Sequence, residues 1–170
     1  MTPFTGGRIG EEIPQFRPFI SGQIDLGGIL TGTSVRTLDG DIPIEFLSPG
    51  DRIITRNSGA AKLIAIEVDT VTEAAVEFTS GSIGDIAAET SLILPASQPI
   101  LLRDWRAKVM FGQPQAVCVA GMLIDHGFIL DLGEREMTLH RLIFNRDQVV
   151  YAGGLELMSA PMLQWKRAAA

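Results

Sequence analysis

Side chains that could attack a carbonyl or carry a proton are scarce in this chain. It contains one cysteine, Cys118, and two histidines, His126 and His140. Two threonine hydroxyls lie close together in sequence, at Thr31 and Thr33. An unassisted threonine hydroxyl is a poor nucleophile at neutral pH, and it attacks only when an adjacent base takes its proton. Without such a base, both threonines are typical of strand and turn positions.

The cysteine and the histidines also have ordinary structural interpretations. Cys118 stands in an apolar stretch, residues 116–120, where a small buried thiol is the usual outcome. A single cysteine excludes an intramolecular disulfide and a multi-cysteine zinc site. His126 lies in a predicted loop, and His140 would share a strand face with Thr138, Leu142 and Phe144, as a core or edge histidine does. The spacing of these residues matches no metal-binding pattern, so no metal and no cofactor are expected.

Charge and hydropathy narrow the classes of partner. The net charge is −6, and the lysines and arginines form no cluster that could neutralise a nucleic-acid backbone. The most apolar stretch, residues 109–124, is interrupted by glycine, proline and glutamine, so it falls short of the roughly 20 apolar residues of a membrane span. The first residues lack the features of a secretory signal. We therefore expect neither nucleic-acid nor membrane binding, and a cytoplasmic location in preference to export without a signal peptide.

The elements that position these side chains are predicted to be short strands. Asp39-Gly40 between alternating segments predicts a tight hairpin, because glycine readily adopts positive φ. Pro49-Gly50-Asp51 predicts the next turn. Strands are expected at 34–38, 41–44, 52–56, 61–68, 75–79, 92–94, 100–103, 137–144 and 148–151, and residues 81–90 are compatible with a helical turn. Many short strands without a long amphipathic helix indicate an all-β domain. Four large apolar residues are expected in its core: Trp105, Phe111, Phe144 and Val149.

Two blocks of sequence carry a resemblance to a known family. The first, residues 32–53, contains Thr37-Leu38-Asp39-Gly40 and Leu47-Ser48-Pro49-Gly50-Asp51-Arg52-Ile53. The second comprises residues 101–112 and 142–154. In this order the blocks resemble the bacterial Hint (Hedgehog/intein) autoprocessing domains, across roughly residues 28–158. The resemblance implies an all-β, horseshoe-like fold of many short strands, preceded by an extension at 1–27 and followed by a tail at 159–170.

The resemblance also implies a chemistry whose residues have changed in this chain. Hint domains begin with a cysteine or serine that attacks the preceding carbonyl and converts the peptide bond into a thioester or ester. A histidine in a second motif protonates the departing amide nitrogen. Here the nucleophile position falls on Gly28 and that histidine on Gln98, and neither residue can act in this way. Two later histidines of the family fall on Arg141, with His140 one residue away, and on Asp147.

Three hypotheses account for these residues. In the first, the chain is a catalytically inactive Hint-like domain that serves as a binding or scaffold module, with a protein or peptide as the expected class of partner. In the second, it is an autoproteolytic or self-splicing domain with another nucleophile, such as Thr33, and His140 as a remnant of the site. In the third, it is an unrelated small β domain with a ligand pocket. The first predicts Gly28 beside Gln98 in a shallow cleft, and a chain that stays intact.

Overall fold

The computed structural model describes residues 27–83 and 90–160. Expectations for the extension, the tail and the helical turn that fall on residues 1–26, 84–89 and 161–170 lie outside the described residues. The strands are β1 (Ile29–Leu30), β2 (Ser34–Thr37), β3 (Gly40–Pro43), β4 (Arg52–Thr55), β5 (Gly59–Lys62), β6 (Ala65–Phe78), β7 (Leu92–Pro95), β8 (Pro99–Leu102), β9 (Ala116–Val119), β10 (Ile129–Ile143), β11 (Val149–Ala152) and β12 (Leu155–Met158). One helix, α1 (Trp105–Phe111), and two short 3-10 turns, Ile44–Phe46 and Ala120–Leu123, complete the described elements.

The strands form two antiparallel sheets. The smaller has the order β1-β10-β6-β7, and the larger has the order β3-β2-β4-β11-β12-β8-β9, with β5 paired to β4. The prediction of an all-β domain is therefore confirmed. In the described part of the chain, no helix is both long enough and apolar enough to cross a membrane.

Two strands are much longer than the sequence suggested. Strand β6 joins the second half of the segment predicted at 61–68, whose first two residues belong to β5, to the segment predicted at 75–79. Strand β10 begins at Ile129 instead of Met137. The two pair from Ala65 with Ile143 to Phe78 with Ile129, with an irregularity near Gly133. The middle parts of both strands are largely exposed on both faces, so their sequences show little alternation of apolar and polar residues. The hydrogen-bonded pairing of the two backbones nevertheless continues there. A pattern based on one buried face could not show this continuity.

The hairpin predicted at Asp39-Gly40 is confirmed, with its loop one residue earlier than expected. The loop residues are Leu38 and Asp39, and Thr37 pairs with Gly40 as the closing pair. Gly40 has φ +100 and begins β3. The Thr37 hydroxyl accepts from the Asp39 amide at 3.1 Å and donates to the Gly40 carbonyl at 2.7 Å. The turn is thus fixed by a local side chain as well as by the glycine.

Phe144 and Val149 are fully buried, as predicted, whereas Trp105 is not. The prediction for Trp105 is wrong: 67% of its surface is exposed, and the Arg106 guanidinium lies over its ring at 4.8 Å from the centroid. The cause is helix α1, in which the buried residue is Ala107. Phe111, the last residue of α1, is partly buried and packs against the main core cluster, in line with its predicted burial. A seven-residue helix with one small inward residue leaves its aromatic first residue in solvent.

Cys118 on β9 is buried, as predicted. Burial raises the pKa of its thiol to about 11, with a smaller contribution from the negative charge of Asp104. The thiol is therefore protonated at neutral pH, which removes its value as a nucleophile.

Candidate functional site

The peptide bond between Gly27 and Gly28 is held on both sides by side chains. The Gly28 amide donates to Gln98 Oε1 at 2.8 Å. On the other side, Arg141 Nε donates to the Gly27 carbonyl oxygen at 3.1 Å. The expected proximity of Gly28 and Gln98 is confirmed, and Arg141 joins them at the same peptide bond.

Gln98 is positioned by the turn that connects β7 to β8. Its own amide donates to the Pro95 carbonyl at 3.0 Å, and its carbonyl accepts from the Ala120 amide at 2.9 Å. The side-chain nitrogen Nε2 donates to the Met158 carbonyl at 3.0 Å and to the Pro99 carbonyl at 2.8 Å. Because Gln98 also accepts from Gly28, one buried amide joins the two ends of the predicted 28–158 region.

Two carboxylates on β6 hold the side chains that contact the backbone of Gly27. Arg141 on β10 is held by Asp69 on β6, with 2.7 Å between Nη1 and Oδ2. The Gly27 amide donates to Ser97 Oγ at 3.1 Å, and Ser97 Oγ donates to Glu73 Oε1 at 2.8 Å. Sequence reasoning missed Asp69, Glu73 and Ser97, because their role depends on the register between β6 and β10 and on the turn after β7.

No room exists for a side chain at Gly28, on which the sequence resemblance places the family's nucleophile. Gly28 has φ +137, and an added Cβ would lie 2.8 Å from Leu139 Cβ. A small cavity beside Gly28, Gln98 and Arg141 measures about 10 Å³, which is at the lower limit for holding one water molecule. The expected shallow cleft is therefore nearly closed. The arrangement polarises the Gly27 carbonyl through Arg141, but Gly28 carries no side chain that could attack this carbonyl, and the cavity leaves little room for water.

His140 is paired with Thr31, whereas Thr33 was the candidate named from sequence. Strand β1 aligns Ile29 with His140 on β10, and Thr31 follows two residues later. This places Thr31 Oγ1 at 2.9 Å from His140 Nε2. Thr33 is used by its backbone, since its amide donates to Leu30 and its carbonyl accepts from Ile44. The two partners are 109 residues apart in sequence, so no local signal could have paired them.

The remaining family positions lie elsewhere. Asp147 is exposed in the loop after β10, and its carbonyl accepts from the Asn57 side chain at 3.0 Å. His126 is exposed in a loop, as predicted, with φ +60. Within residues 27–83 and 90–160, no three histidine, cysteine, aspartate or glutamate side chains are grouped as a metal site would need.

His140 is buried, and this burial is the main reason that its pKa is lowered from the ordinary value; the charge of Glu45 opposes the effect. A neutral imidazole is therefore favoured at neutral pH. One ring nitrogen of a neutral imidazole carries no proton and can accept a hydrogen bond from a hydroxyl.

Acidification is expected to destabilise the protein through His140. Because the pKa of His140 is lower in the folded chain, the unfolded chain binds the proton more readily. The contribution of neutral His140 to the free energy of unfolding is therefore fully present above pH 6.5, its ordinary pKa. This contribution is lost as the pH falls from 6.5 through the lower pKa of the folded chain. Urea denaturation midpoints measured from pH 8 to pH 5 test this. His140→Gln should flatten the decline, whereas His126→Gln, which alters an exposed loop, should keep it; equal declines in all three proteins would contradict the assignment.

Comparisons with known proteins point to one family and one fold. A family profile described as Hint domain matches residues 28–161. A bacterial intein-like domain from Clostridium thermocellum superposes with a TM-score of 0.53 at 12% identity, covering 80% of this chain and 100% of that domain. A variant of the MchDnaB-1 intein superposes with a TM-score of 0.50 at 10% identity, covering 78% and 99% of the two chains. A search of curated protein sequences gives no match.

Proposed function

This chain belongs to the Hint domain family, and from that premise we propose that it is a Hint domain inactive in autoprocessing, which serves as a binding or scaffold module. The membership makes the third hypothesis, an unrelated small β domain, wrong. The expected class of partner for such a module is a protein or peptide.

The observation that carries the proposal is the hydrogen bonding of the Gly27–Gly28 peptide bond. Autoprocessing requires the amide nitrogen of this bond to gain a proton as it leaves. Here that nitrogen donates its own proton to Gln98 Oε1, and the donor end of Gln98 is committed to Met158 and Pro99. A glutamine amide in this orientation accepts at the junction and supplies no proton to it.

The attacking group is lacking as well. Gly28 has no side chain, and Leu139 occupies the space that one would need. The position that bears the family's proton donor is instead occupied by a residue that joins the start and the end of the domain. This change of role supports a scaffold in which the junction residues maintain the fold.

The second hypothesis is favoured only in an altered form. The hydroxyl that faces a histidine is Thr31 Oγ1, so a self-cleaving reaction with a threonine nucleophile would act at the bond between Leu30 and Thr31. It would not use Thr33. This candidate differs from the proposed function in the position of the cut, which makes the two separable by mass.

Intact-mass spectrometry of the full chain, kept for days at neutral pH with and without a thiol or hydroxylamine, tests the proposal. These reagents intercept thioesters and activated esters, so even slow rearrangement would release a fragment. We expect the full-length mass under every condition. Loss of a fragment that ends at Gly27 would contradict the proposal. Loss of one that ends at Leu30, abolished by Thr31→Ala and kept by Thr33→Ala, would instead establish the altered second hypothesis.

A further inference from the structure

A groove of about 550 Å³ opens beside the turn that follows β1. Its walls are that turn (residues 30–34), the beginning of β7 with the two residues before it (90–93), and the turn between β11 and β12 (153–154). The volume lies in the range of small-molecule sites, about 300–1,000 Å³. Gly28 does not line this groove; it lines the small cavity described above.

Thr31 is placed at the wall of this groove with its hydroxyl bonded to a buried base. Thr31 is exposed and lines the groove, whereas His140 is buried, with only 7% of its surface exposed. The distance between Thr31 Oγ1 and His140 Nε2 is 2.9 Å. A groove-lining residue whose hydroxyl is hydrogen-bonded to a buried imidazole has the pairing of an activated nucleophile, in which the base takes the proton as the oxygen attacks.

The backbone around Thr31 is fixed on both sides. Its amide donates to the Thr138 carbonyl on β10 at 3.3 Å. The next amide, of Gly32, donates to Glu45 Oε2 at 2.8 Å, and the amide of Thr33 donates to the Leu30 carbonyl at 3.2 Å. The hydroxyl is thus presented by a turn held through three hydrogen bonds, which favours a defined orientation toward His140.

We propose that Thr31 and His140 form a nucleophile and base that take an acyl group from a small uncharged ester bound in the groove. The proposal goes beyond the proposed function, because it concerns an external substrate and leaves the chain intact. An uncharged ester suits the groove because the charged side chains that line its described part, Arg36 and Asp41, lie 3.8 Å apart and offset each other.

The reaction balances with water as the co-reactant. Thr31 Oγ1 forms a bond to the ester carbonyl carbon while its proton passes to His140 Nε2. The bond to the alcohol oxygen breaks, and the alcohol leaves with the proton from His140, which gives acyl-Thr31. A water molecule then attacks the acyl group with His140 again as the base, and Thr31 regains the proton as the carboxylic acid leaves.

The test uses the full chain and p-nitrophenyl acetate as the probe. After brief incubation and quenching in acid, intact mass reports acetylation, and digestion followed by tandem mass spectrometry locates the acetyl group. We expect it on Thr31. Thr31→Val, which keeps the shape of the side chain and removes the hydroxyl, should abolish labelling at this position. His140→Gln should slow it about 100-fold, the usual contribution of a general base.

His126→Gln is the matched control, because it removes the chain's other histidine from an exposed loop that does not line the groove. It should label Thr31 at the wild-type rate. The proposal is overturned if wild-type protein carries the acetyl group only on other residues, or if His140→Gln labels Thr31 as fast as wild type does. The site of labelling in wild-type protein decides the matter even if a variant fails to fold.

Discussion

Replacing Gln98 with alanine is expected to lower the free energy of unfolding by about 3 kcal/mol, since it removes the side-chain partner of three backbone groups. These are the buried amide of Gly28 and the partly buried carbonyls of Pro99 and Met158, and Gly28 and Met158 lie at opposite ends of the domain. Gln98 itself is only 2% exposed, so water cannot readily replace its bonds. Chemical denaturation measures the loss, and hydrogen exchange should show the Gly28 amide exchanging faster than in wild type.

Gln98→Glu separates the two halves of this contact at nearly constant shape. A carboxylate can still accept from the Gly28 amide, but it places an oxygen against the carbonyls of Met158 and Pro99, which are themselves acceptors. The variant should be destabilised at neutral pH and should recover part of the loss in acid, where a protonated carboxyl can donate again.

The control is Gln113→Ala, which removes the same side chain from an exposed position after α1 and should change stability by less than about 0.5 kcal/mol. Equal stability of Gln98→Ala and wild type would show that Gln98 does not hold the two ends together.

The proximity of Gly28 and Gln98 could be predicted from the sequence, because a family resemblance transfers long-range contacts as well as strands. The hairpin near Asp39-Gly40 could also be predicted, because the preference of glycine for positive φ is a strong local signal. The first prediction depends on an ordered set of motifs that chance rarely reproduces. The second depends on the backbone preference of glycine.

The pairing of Thr31 with His140 could not be predicted in this way. It depends on the register in which β1 pairs with β10, and a shift of one residue would turn His140 to the opposite face. The role of Asp69 depends likewise on the exposed middle of the paired strands β6 and β10, where the apolar pattern that sets a register is weak. Contacts of this kind are defined by pairing geometry across the sheet.

The exposure of Trp105 shows a different limit. The sequence offered a large aromatic residue between two arginines, for which burial is the usual outcome. The local structure follows instead from the cap at Asp104, whose side chain accepts from the Arg106 amide at 3.0 Å and begins α1 there. A short helix places its residues by turn geometry, so the small Ala107 takes the inward position.

A side chain at position 28 is expected to be strongly destabilising, about 4 kcal/mol for Gly28→Ala. Two effects combine: a φ of +137 that costs about 1–3 kcal/mol for a residue with Cβ, and the approach of that Cβ to within 2.8 Å of Leu139 Cβ. Leu139 is fully buried and contributes its own Cβ to the contact, so a change of rotamer cannot relieve it. Overpacking of this kind adds about 1–3 kcal/mol.

Gly32→Ala isolates the first effect, because Gly32 also has positive φ, at +91, but no heavy atom lies within 4 Å of its added Cβ. It should lose only the backbone contribution, and the difference between the two variants measures the contact with Leu139.

The double variant Gly28→Cys with Gln98→His, which returns both family residues, should remain uncleaved. The Cβ that would carry the thiol cannot take its place, because it would lie 2.8 Å from Leu139 Cβ. Denaturation midpoints compare the alanine variants, and intact mass follows the double variant. Equal losses for the two alanine variants, or release of a fragment ending at Gly27 from the double variant, would show that the junction still accepts a nucleophile.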